Sequence, residues 1–83
     1  MKITVIHEVW SDAEDGHQLG LQWCLYPFPD GDQRGYRFIW RDDARGLHAD
    51  RGQARIPSAA VMFELIRRAT EAGWFVSAER ENR

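Results

Sequence analysis

The chain has 83 residues, with 43% hydrophobic and 29% charged residues and a formal net charge of −2. That length allows one domain and a modest core, so stability on the order of 4–12 kcal/mol is expected. The small negative charge gives no overall steering toward nucleic acid. The lone cysteine, Cys24, excludes an internal disulfide.

Lys2–Trp10 alternates as a first strand, with Ile3, Val5, His7 and Val9 on one face and Thr4, Ile6, Glu8 and Trp10 on the other. Both sets hold large apolar residues, as in a strand covered on both faces. The strand leaves no room for an apolar leader after Met1-Lys2, and no run of about 18 apolar residues follows anywhere, so a cytoplasmic location is expected. Ser11–His17 is a polar turn with three acids. As a calcium loop with Gly16 at its sixth position it would need an oxygen ligand where Ala13 stands, so it is read as a solvated turn.

Gln18–Tyr26 is a second strand whose Leu19, Leu21, Trp23 and Leu25 make the cleanest apolar face in the chain. Pro27 and Pro29 cannot donate to a ladder, so the strand is expected to break there. Gly35–Arg41 is a third strand, with Tyr36, Phe38 and Trp40 alternating with Arg37, Ile39 and Arg41. Asp42–Gly46 reads as a hairpin loop, Leu47–Arg51 as a weaker fourth strand, and Gly52–Ile56 as an extended connector anchored by Ile56.

Ser58–Gly73 carries the strongest helical pattern. Ser58 is a good N-cap, Pro57 bars an earlier start, and Gly73 follows the last periodic residue. Ala59, Met62, Leu65, Ile66, Ala69 and Ala72 fall on one side, bordered by Val61 and Phe63. Glu64, Arg67, Arg68 and Glu71 form the solvated side, with Glu64 and Arg68 spaced for an i,i+4 pair. Trp74 or Phe75 is positioned to fold back on the last turn, and Trp74–Ala78 is a possible short edge strand. Residues 1–78 form the domain, and residues 79–83 a frayed tail.

The expected fold is therefore α+β in two layers: an antiparallel meander of three to four strands, then one C-terminal helix on one sheet face. Leu19, Leu21, Trp23, Leu25, Tyr36, Phe38 and Trp40 should face the helix. The opposite face should carry Ile6, Trp10, Gln22, Cys24, Tyr26, Arg37, Ile39 and Arg41, a mixture of apolar and charged groups typical of interfaces.

Function classes are weighed on that placement. An enzyme needs a nucleophile beside a base or two carboxylates in a cleft. His7 is expected to face away from Cys24, and Asp12, Glu14 and Asp15 sit in an open turn, so no catalytic residue is assigned. His7, His17, His48 and Cys24 lack ligand-pair spacing, so no metal or cofactor is assigned. Residues 33–83 carry ten arginines, which permits a nucleic-acid or anion site at Arg37, Arg41, Arg51 and Arg55. The alternation turns the aromatics of the third strand away from its arginines, which weakens that reading. The leading expectation is a non-catalytic interaction module, either a homodimer or a binder of another protein. Its interface would be Ile6, Trp10, Tyr26, Arg37, Ile39 and Arg41.

Overall fold

Four strands and one helix follow one another along the chain: β1 (Thr4–Trp10), β2 (His17–Phe28), β3 (Gly31–Asp42), β4 (Gly46–His48) and α1 (Ala59–Glu71). The computed structural model describes residues 2–13, 16–42, 46–48 and 55–75. The strands form one sheet in the order β1-β2-β3-β4, each antiparallel to its neighbour, and α1 packs over β1 and β2. This is the expected α+β meander with a C-terminal helix.

The β2–β3 hairpin is longer than its sequence suggests. β2 runs through Pro27 to Phe28, turns on Pro29 and Asp30, and returns as β3 from Gly31. The missing N–H of Pro27 breaks nothing because β1 pairs with β2 only as far as Thr4↔Leu25. Beyond Leu25, β2 has a single neighbour among the described residues, and a proline can face the other side. Tyr26–Phe28 and Gly31–Gln33 therefore extend past β1 as a two-stranded ribbon. β4 pairs with Trp40–Asp42, and residues 49–51 of the expected fourth strand lie outside the described residues.

In β1 the pairing shifts by one residue between Val5 and His7. Thr4 pairs with Leu25 and His7 with Trp23, both on the helix side, whereas Val5 pairs with Cys24 on the far side. The extra residue, Ile6, resets the alternation. Val5 is thus not on the helix face, contrary to the simple period-two reading. His7 and Cys24 do lie on opposite faces, as expected.

The core lies between α1 and the centre of β2. Leu19, Leu21, Leu65 and Ala69 are buried there, with Val9, Phe38, Trp40, Ile56, Val61, Trp74 and Phe75 packed around them. The helix begins as its sequence dictates: the Ser58 hydroxyl accepts a hydrogen bond from the Val61 N–H at 3.2 Å. It ends in a left-handed Gly73, φ 87°. The Gly73 N–H donates to the Thr70 carbonyl and the Trp74 N–H to the Ala69 carbonyl, which together satisfy two terminal carbonyls. Trp74 and Phe75 fold back as turn residues rather than opening a strand; the remainder of that expected strand lies outside the described residues, as do the 79–83 tail and most of the Asp42–Gly46 loop.

The helix is rotated relative to its expected stripe. Leu65 and Ala69 are buried, but Ala59, Phe63, Ile66 and Ala72 are exposed. Arg68, assigned by periodicity to the solvated side, is turned toward the sheet. Its guanidinium reaches across to β1, donating to the Trp10 carbonyl and, at 3.0 Å, to the Asp12 carboxylate. Glu64 accepts from Arg68 Nε at 3.0 Å and from Arg67 Nε at 2.9 Å, and Arg67 also pairs with Glu71.

Hydrogen bonds from Arg67 and Arg68 hold the Glu64 carboxyl down to about 2, from an ordinary value of 4.5. A depressed carboxylate contributes fully above its unfolded value and loses that contribution as pH falls toward the folded one. The melting temperatures of the parent and of Glu64→Gln are therefore expected to differ at neutral pH. They should converge between about pH 4.5 and about pH 2. A difference that stays constant to pH 2 would contradict the clamp.

Candidate functional site

Two surfaces compete for a functional role, and the register of β2 assigns residues to each. The far face, away from α1, carries five of the six residues expected there on the paired strands: Trp10, Tyr26, Arg37, Ile39 and Arg41. Ile6 sits at the bulge and is 39% exposed. Gln22 and Cys24 share the face and are fully buried, and Ile39 is 6% exposed.

What covers them is a layer of the protein's own long side chains. Trp10 lies flat over Gly20, so close that a Cβ at Gly20 would fall 2.6 Å from the indole ring. The Arg41 guanidinium stacks on the other side of that ring, 3.8 Å from its centroid. Arg41 also donates twice to the Gln18 carboxamide oxygen, at 3.1 and 2.7 Å. Gln18 donates in turn to the Ser11 carbonyl at 2.9 Å.

A second chain of hydrogen bonds crosses all three long strands. Arg37 Nε donates to Gln22 Oε1 at 2.8 Å, and Gln22 Nε2 donates to Glu8 at 3.2 Å. Glu8 also accepts from Trp10 Nε1 at 2.8 Å. Buried Gln22 therefore has partners for both its oxygen and its amide, as a buried polar group must. Burial pushes the Cys24 thiol up, against a smaller downward pull from Arg37. This face is a closed polar and aromatic lid, with its charged groups committed to one another.

The helix side is open by comparison. α1 itself lies over β1 and β2, and among the described residues β3 is covered in part by Trp74, Phe75 and the segment leading into the helix. Phe38 and Trp40 are half-buried against the core, and the Trp40 indole N–H donates to the Arg55 carbonyl at 2.9 Å. Tyr36 is 51% exposed. Its ring lies tilted against Trp23 with centroids 4.5 Å apart, stacks on Trp74 at 6.4 Å and lies 6.0 Å from Phe75. On α1, the flank turned away from the Arg68 clamp presents Phe63 at 62% and Ile66 at 39% exposure. None of these was among the residues expected at an interface. Their exposure depends on where the helix docks, which the sequence pattern does not give.

The alternative anion set is dispersed. Arg37 and Arg41 lie on the far face and are engaged with Gln22 and Gln18. Arg55 is exposed at the start of the helix segment, and Arg51 lies outside the described residues. Among the described residues, no three His, Cys, Asp or Glu side chains gather where they would hold a metal ion, and no helix is long and apolar enough to cross a membrane. No known protein family, curated protein or solved structure matches the chain.

Proposed function

We propose that the chain is a small cytoplasmic, non-catalytic interaction module that works as a homodimer, with its contact surface on the helix side of the sheet. The observation that carries this is the exposure of large apolar side chains on the helix side, Tyr36 on β3 and Phe63 and Ile66 on one flank of α1. Exposed large apolar side chains favour a protein contact that removes them from water. The far face is less suited to the task, because Trp10, Ile39 and Arg41 already cover one another. The buried free thiol of Cys24 suits a reducing compartment.

Sedimentation or light scattering across concentration is expected to show a reversible shift from 9.7 kDa to twice that mass. Phe63→Glu should raise the dimer dissociation constant about tenfold, since it puts a charge into the contact. Its melting temperature at monomer concentrations should barely move, because the side chain is 62% exposed there. A strict monomer at millimolar concentration would remove the proposal.

A further inference from the structure

We propose that the end of β1 is a mechanical joint between the two faces of the sheet, and that Arg68 on the helix holds the Trp10 lid shut on the far side. The joint does not depend on the dimer proposed above. Trp10, Ser11 and Asp12 are gripped from both directions. From the helix side, the Arg68 guanidinium donates to the Trp10 carbonyl and, at 3.0 Å, to the Asp12 carboxylate, so that it brackets Ser11. Glu64 accepts from Arg68 Nε at 3.0 Å and fixes the direction of that reach.

From the sheet, Ser11 exchanges two hydrogen bonds with Leu19. Its N–H donates to the Leu19 carbonyl at 2.8 Å, and its hydroxyl accepts from the Leu19 N–H at 2.9 Å. The Ser11 carbonyl accepts from Gln18, and Gln18 accepts from Arg41, the residue that stacks on the Trp10 ring. The contacts therefore close a circuit: helix, backbone segment, Gln18, Arg41 and back to Trp10. Contiguous hydrogen bonds and a packed ring are the physical means by which one site is coupled to another.

Two features make this segment able to act as a unit. The bulge between Val5 and His7 interrupts the ladder, so the run from His7 to Trp10 is paired to β2 separately from the start of β1. Trp10, at the end of that run, has its carbonyl bound from the helix and its ring laid on the opposite face. The ring has little freedom of its own, held between the Gly20 backbone and the Arg41 guanidinium 3.8 Å from its centroid. A change in the Trp10 backbone therefore displaces the ring and its stack. Whatever loosens α1 at Arg68 is passed to a face that the helix does not touch. Arg67 has no such reach, since it bonds Glu64 and Glu71 on its own helix. Arg68 is a positioning residue for the lid.

The test is proton NMR of the whole chain. An indole shifts protons lying over its faces upfield, so the Gly20 α protons and the Arg41 side-chain protons carry the signature of the closed lid. In Arg68→Ala these resonances should move back toward their ordinary values. Asp12→Ala, at a side chain 91% exposed, removes one partner of Arg68 without disturbing the core and should move them the same way by less. Arg67→Ala should leave them in place. If Arg68→Ala does not fold, Asp12→Ala decides the matter. Gly20 and Arg41 resonances that stay put when the clamp is cut would overturn the joint. So would an equal displacement in Arg67→Ala, which would show a general loosening of the helix.

Discussion

Leu65→Ala is expected to lower stability by about 2–5 kcal/mol, the range for emptying a fully buried leucine site. Leu65 has no exposed surface and sits between Leu19, Leu21 and Ala69, the only buried apolar contacts that tie α1 to the sheet among the described residues. The walls of the cavity are strands in a hydrogen-bonded ladder on one side and a capped helix on the other. Neither can collapse easily into the space, which favours the upper part of the range. For a domain of this size that is a drop of at least about 10 °C in melting temperature. Ile66→Ala, one residue along, removes a side chain that is 39% exposed and should cost no more than about 1 kcal/mol. Thermal melts of the two variants side by side test the docking of the helix. If Leu65→Ala melts within a degree or two of the parent, or if the two variants lose equal stability, the helix is not seated as described.

Gly20→Ala should be the costliest small substitution on the far face. The added methyl would stand 2.6–2.8 Å from three carbons of the Trp10 ring. A flexible side chain would swing away, but the indole is fixed from both directions: Arg41 stacks on it and Glu8 accepts its N–H. Moving it breaks the stack and the hydrogen bond and uncovers the strand centre, so about 1–3 kcal/mol is expected. A double-mutant cycle isolates the cause. With Trp10→Ala in place the methyl meets no ring, and Gly20→Ala should then cost much less. Equal costs in the two backgrounds would show that the glycine is needed for some other reason.

The residues that spoke clearly in the sequence were those whose roles are local. Ser58 caps its own helix, Gly73 ends it, and the leucines of β2 alternate along a strand that is paired over its whole length. What was hidden depends on partners distant in the chain. Ile6 looks like one more alternating residue until β2 is beside it and the register shifts. Pro27 looks like a strand end until β1 is seen to stop short of it. Arg68 has the spacing of a solvated residue, and only the approach of the end of β1 turns it inward. The far face was assigned to the right residues, but alternation gives direction and not cover. Gln22 and Cys24 are buried because Trp10, Arg37 and Arg41 are long enough to fold across them. The exposed Tyr36, Phe63 and Ile66 were missed for the same reason, since exposure is decided by how much of the sheet one helix can roof.

The placement of the four tryptophans also gives the protein a set of built-in optical reporters. Trp10 alone lies on the far face, between the Gly20 backbone and a guanidinium. Trp23, Trp40 and Trp74 belong to the helix side, where Trp40 and Trp74 pack around the core and Trp23 lies tilted against Tyr36. Emission from a variant keeping only Trp10 would follow the lid over β2, while one keeping only Trp74 would follow the seating of the helix end. Two such variants, each watched during unfolding, would separate the undocking of the helix from the opening of the sheet.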